Sequence, residues 1–120
     1  PRTVRAFRRA GFSVVDSTGG ENPRYWLQFS EQSRPMELWS KVYDQEGNPP
    51  EDFIAVMTCS HADENCPLAP SAADRFSLNF EDPKSSDDTS QEEAVYDQRL
   101  REIGAEMFLL MSLVSESIQV

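Results

Sequence analysis

The two cysteines of the chain, Cys59 and Cys66, share one stretch, MTCSHADENCP (residues 57–67), with six residues between them. Two thiols at that spacing admit three kinds of chemistry. The first is a reversible disulfide. Bridged cysteines need Cα atoms within about 7 Å, whereas residues seven apart on a regular helix sit ~10 Å apart. A bond between these two therefore requires local unwinding, which makes it switchable rather than structural. The second is a metal site in which His61 and Asp63 join the thiols. Against it, the spacing is not that of a zinc finger or ribbon, and no second ligand pair exists. The third is burial of both cysteines as small apolar residues. Spacing alone leaves the three open.

A second candidate is Asp82, in FEDPK. An Asp–Pro pair after a strand is commonly a turn. It can also hold a carboxyl over a cleft as a general acid, with Pro83 stiffening the loop, since proton donors depend on position above all. Other chemistries find no support. His61 is the only histidine, and no serine stands in a nucleophile-elbow setting. There is no glycine-rich phosphate loop. Neither cysteine is followed six residues later by arginine: position 65 is Asn and position 72 is Ala. No cofactor and no metal are expected.

Composition narrows the partners. The chain has 120 residues and a formal charge of −10. Such a surface repels nucleic acids and anionic membranes. The charge is uneven. Residues 1–50 carry seven basic and six acidic side chains, while residues 51–120 carry four and fifteen, a sum of −11. That half is either a solvated face or the neighbour of a basic element. No apolar run has the length of a membrane span and no secretory leader is visible, so the expected compartment is the cytoplasm. Two cysteines in a reducing compartment argue against a structural bridge.

The elements that must position these residues are legible from periodicity. Residues 1–10 predict a helix with Pro1 at its start, Val4 and Phe7 on one face and Gly11 as a left-handed cap closed by Phe12. STGGENP is turn chemistry. Tyr25–Phe29 and Met36–Val42 predict a hairpin, with Trp26 and Trp39 packed on its faces. FIAVMTC (53–59) is a near-continuous apolar run, which predicts a parallel strand buried on both faces. RFSLNF (75–80) predicts a second strand. Ser90, with Glu93 three residues on, predicts a capping box. A long helix follows it, with Tyr96, Leu100, Ile103, Met107, Leu110 and Val114 on its core face. This order of elements implies an α/β fold in one domain, residues 1–120, or the carboxyl-terminal part of one.

FIAVMTCSHADENCPLAP, RFSLNFEDPK and a terminal helix ending in REIGAEM together resemble the carboxyl-terminal part of the low-molecular-weight protein tyrosine phosphatase superfamily. More narrowly, they are similar to its thioredoxin-coupled arsenate reductases and their phosphatase-like relatives. GFSVVDSTGGENPRYWLQFS and SKVYDQ resemble one branch with an extra segment. The resemblance implies a partial three-layer parallel sheet of the phosphatase type with a β-hairpin insertion and a long C-terminal helix. It implies that Asp82 protonates the leaving oxygen of an arsenate- or phosphate-type oxyanion. Cys59 and Cys66 are then a disulfide shuttle recycled by a thioredoxin-like reductant. It also implies a first strand, a CxxxxxR nucleophile loop and a helix that would lie before residue 1, without which these 120 residues are not expected to turn over. The alternatives are a phosphatase with idle cysteines and a non-catalytic redox or zinc-binding interaction module.

Overall fold

The computed structural model describes residues 1–16, 18–59 and 71–118, and at Cys59 the backbone only. It is a mixed α/β fold. Helix α1 (Arg2–Arg9) leads into a three-stranded antiparallel sheet of β1 (Ser13–Asp16), β2 (Tyr25–Gln28) and β3 (Met36–Leu38), in that spatial order. A parallel pair follows, β4 (Phe53–Cys59) beside β5 (Ala72–Phe80). One 3-10 turn, Pro83–Ser86, then leads to helix α2 (Glu92–Ile118), about 40 Å long at 1.5 Å per residue.

The predicted end of α1 forms as its residue types dictate. Gly11 has φ of +98°, open to glycine without steric cost. The Gly11 amide donates to the Arg8 carbonyl (3.1 Å) and the Phe12 amide to the Phe7 carbonyl (3.1 Å), a Schellman closure. Phe7 and Phe12 meet edge to face at 5.3 Å. The turn aims the chain into β1, and Arg8 fixes the join by donating to the Val14 carbonyl from Nε (3.2 Å) and Nη2 (2.9 Å).

The hairpin is β2 against β3, and strand β1 adds to it where no strand is predicted. Register places Val14 opposite Leu27 and Asp16 opposite Tyr25. Val4, Val14, Tyr25 and Leu27 form the buried cluster, with Phe7, Phe12 and Leu38 packed on it. Trp26, expected to pack, sits opposite Val15 and Glu37 on the outer face and is exposed. Strand β3 ends at Leu38, short of the expected Val42, so Trp39 lies just past it, half-buried, with the Arg24 guanidinium (4.7 Å) and the Lys41 ammonium (4.3 Å) over its ring.

Two other expectations are corrected. Strand β4 is not buried on both faces: Ile54 is 60% exposed, and Phe76 on β5 is 53% exposed. The pair is a sheet of only two strands among the described residues, so little lies over it. Helix α2 has no fully buried residue. Tyr96, Leu100, Ile103 and Met107 are half-buried, while Leu110 and Val114, expected in the same core stripe, are exposed.

The start of α2 also differs from the Ser90–Glu93 box. The helix begins at Glu92, whose carboxylate reaches back to the Asp88 amide (2.8 Å). Glu93 instead faces Arg9 (3.4 Å). The cause is α1. Arg2 donates to Glu92 through Nε (2.8 Å), Arg5 donates to it through Nη2 (2.9 Å), and Arg9 forks onto Asp97 through Nε (2.9 Å) and Nη2 (2.7 Å). The hydrogen bond from Arg2, then that from the Asp88 amide, pull the Glu92 carboxyl from 4.5 down to about 2. Arg9 likewise lowers Asp97.

Two outcomes are expected. Leu27, 2% exposed, lies in the buried apolar cluster, so Leu27→Ala should cost about 3 kcal/mol in denaturant unfolding. Glu92 is depressed in the folded state, so its stabilising contribution is complete above its ordinary 4.5 and fades as pH falls towards about 2. The stability gap between the wild type and Glu92→Gln should therefore be constant at neutral pH and shrink across that acid window, as read from denaturant midpoints at each pH.

Candidate functional site

The parallel pair sets the site. In parallel α/β sheets the carboxyl ends of the strands face the same way and the following loops converge there. The β4 end carries Thr58 and Cys59, and the β5 end runs through Phe80 into Glu81, Asp82 and Pro83. A cleft of about 190 Å³ lies at that edge, lined by Thr58, Phe80, Glu81, Asp82, Pro83, Arg99 and Ile103. Asp82 is thus in a cleft and beside the strand end that bears Cys59.

Asp82 is held by its own turn. As N-cap of the 3-10 turn it accepts the Lys84 amide on Oδ1 (2.9 Å), and its carbonyl accepts the Ser85 hydroxyl (3.2 Å). Pro83 sits at the first position of the turn, where a fixed φ helps and a missing N–H costs nothing. Ser86 is buried, and its hydroxyl returns to the Pro83 carbonyl (2.7 Å). The second carboxylate oxygen of Asp82 has no hydrogen-bond partner among the described residues. The geometry suits either a cap or a positioned acid, because one oxygen fixes the side chain while the other stays available.

Arg99 was not anticipated. It reaches the cleft from α2 with a side chain only 16% exposed. Its Nη1 pairs with Glu102, and its Nη2 stands 3.9 Å from Glu81. Its Nε is buried without a hydrogen-bond partner among the described residues. A signal for it exists in the sequence: Tyr96, Arg99 and Ile103 are three and four apart on one helix face, so a cation interrupts an apolar stripe. The cleft's charged lining sums to −1, Glu81 and Asp82 against Arg99. It does not by itself attract an oxyanion.

Cys66, His61 and Asp63 lie outside the described residues, as does the side chain of Cys59, so the thiol pair and the zinc alternative carry no geometry. Among the described residues no group of three or more His, Cys, Asp or Glu side chains could hold a metal ion, and no helix is long and apolar enough to cross a membrane. A larger hollow of about 320 Å³ under Trp39 is lined mainly by apolar residues, among them Val4, Phe7, Tyr25 and Leu38, and is remote in sequence from Asp82. Compared with known proteins, the chain matches no family model, no curated protein and no solved structure.

The two roles open to Asp82 can be separated. Asparagine caps as well as aspartate, alanine does not. Asp82→Ala should lower stability by about 1 kcal/mol, whereas Asp82→Asn should stay within a few tenths of a kcal/mol of wild type, both by urea denaturation. Equal losses for the two variants would mean that the carboxylate charge, not the cap, holds the turn.

Proposed function

We propose that this chain is the acid-and-shuttle part of a thioredoxin-dependent arsenate reductase related to the low-molecular-weight phosphatases. The observation that supports this reading most is the position of Asp82: in Glu-Asp-Pro, capping a turn, in a cleft at the carboxyl edge of a parallel pair whose other strand ends in Cys59. The phosphatase-type fold belongs to the same proposal.

In this mechanism a cysteine thiolate of a CxxxxxR loop, which these 120 residues do not contain, attacks arsenate. Asp82 gives its proton to the departing oxygen, which leaves as water, and a sulfur–arsenic(V) bond forms. The Cys59 thiolate then attacks that sulfur. Forming the new S–S bond oxidises the two sulfurs by two electrons, the pair of the breaking S–As bond goes to arsenic, and arsenic(V) leaves as arsenite, arsenic(III). Cys66 attacks Cys59, frees the first cysteine and leaves a Cys59–Cys66 disulfide. A thioredoxin-like dithiol reduces it. The oxyanion's charge is met by the arginine of the CxxxxxR loop, since the cleft itself is net negative.

The test uses the complete protein, with the CxxxxxR element. Cys66→Ser should abolish arsenite production under turnover with a thioredoxin system while sparing the first attack, and Asp82→Asn should slow that attack by at least about a hundredfold. Arsenite production that continues unaltered in Cys66→Ser would overturn the shuttle. If that variant also hydrolyses aryl phosphates at the wild-type rate while arsenate is never reduced, the protein is a phosphatase. Stoichiometric zinc on the thiols, with no internal disulfide after oxidation, would make it an interaction module.

A further inference from the structure

The Asp82 turn has to be held against the rest of the molecule, and β5 anchors only one end of it. The other end is a polar stretch, Asp87-Asp88-Thr89-Ser90, leading to α2. Three carboxylates crowd there, Asp87, Asp88 and Glu92, and one guanidinium meets them all. Arg2 donates from Nη2 to Asp88 Oδ1 (2.7 Å) and from Nε to Glu92 Oε2 (2.8 Å), and its Nε lies 3.4 Å from Asp87 Oδ1. Arg5 reaches Glu92 on its other oxygen. Tyr96 donates its hydroxyl to Asp87 Oδ1 (2.9 Å).

Each contact bears on backbone placement. Asp88 has φ of +61°, an uncommon left-handed conformation for a residue other than glycine, which persists where its surroundings hold it. Its amide is taken by Glu92 and its carboxylate by Arg2. The Asp87 amide donates back to the Lys84 carbonyl (3.1 Å), and Ser86 is buried. From Asp82 to Asp88 the segment is therefore a short, internally bonded arm whose far end is fixed by a residue more than eighty positions earlier in the chain. Without Arg2, Asp88 loses its guanidinium partner, while Glu92 keeps Arg5 and the Asp88 amide and Asp87 keeps Tyr96, so the arm loses the one group that ties all three carboxylates together.

We propose that Arg2 of α1 is a positioning residue for Asp82, clamping the far end of its turn through Asp87, Asp88 and Glu92. The inference rests on the reading of Asp82 as proton donor for its functional consequence, and on the clamp geometry for the rest. Lysine offers a point charge where the guanidinium offers a fork, so Arg2→Lys should fall between wild type and Arg2→Ala.

Two measurements test it. In the 120-residue chain, hydrogen exchange at the amides of 84–88 should accelerate at least about tenfold in Arg2→Ala and less in Arg2→Lys, with the β1–β2 amides unchanged. Unchanged exchange at 84–88 overturns the clamp. Should Arg2→Ala fail to fold, Asp88→Asn, which keeps α1 intact, takes its place. In the complete protein, Arg2→Ala should lower kcat for arsenate reduction about tenfold with KM unchanged, and cost nothing further in an Asp82→Asn background. An equal loss with and without the Asp82 carboxyl overturns the positioning role. A wild-type rate in Asp82→Asn overturns the proton-donor reading instead, and the exchange result still decides whether Arg2 holds the turn.

Discussion

Charge pairing between α1 and the start of α2 is the constraint on which the rest of this structure depends. Among the described residues the buried apolar side chains all lie in the first 27 positions, and α2 buries none of its own. What joins the first module to the second is a row of arginines, Arg2, Arg5 and Arg9, set against Asp87, Asp88, Glu92, Glu93 and Asp97. Isolated surface pairs contribute about 0–1 kcal/mol each. Here forked geometry and shared partners raise the value of the set above that of its members. The Glu92 side chain is only 15% exposed and accepts from two arginines and an amide. The same contacts set where α2 begins and where the Asp82 turn ends, so one electrostatic arrangement governs both architecture and site.

Much of this was legible in the sequence, and the residues explain which parts. The end of α1 is written in local chemistry: only glycine fits easily at position 11, and Phe7 and Phe12 are at the spacing that closes the turn. Strands β2, β4 and β5 follow from alternation and apolar runs, and the parallel pairing of β4 with β5 matches the expected sheet. Strand β1 was not legible because its four residues, Ser-Val-Val-Asp, have no alternation of their own; register against β2 makes Val14 inner and Val15 outer. The capping pair shifted because a helix eighty residues away supplies the cations that Glu92 answers. Such long-range charge is invisible to local spacing. The Asp82 turn was legible as chemistry; Arg99 left only the trace of a cation in an apolar stripe and Arg2 none, since each becomes relevant only when distant elements meet.

Apolar surface left open is the second constraint. Ile54 and Phe76 stand out on the parallel pair, and Phe108, Met111 and Ile118 on the second half of α2. Parallel strands are ordinarily covered on both faces, and a helix apolar on most sides ordinarily has neighbours on most sides. The apolar run of β4, which predicts burial, is therefore informative even where burial is not seen. It records what the residue types are suited to, while exposure records what the described residues cover. The strand, loop and helix that the reductase reading requires would meet apolar surface of this kind.

Charge divides the labour in the same sense. An oxyanion needs concentrated positive potential, and residues 51–120 carry a sum of −11. The cation in the cleft, Arg99, is already shared between Glu102 and Glu81. Adding a third negative group to that cleft, beside Glu81 and Asp82, without a new cation would raise its energy. Among the described residues the cleft thus offers a carboxyl with one oxygen open, and a cation that is already engaged. A proton donor in a net negative cleft is useful when another element carries the positive charge. On the proposed reading, the contacts of Arg2 with Asp87, Asp88 and Glu92 hold the far end of the turn that carries the acid.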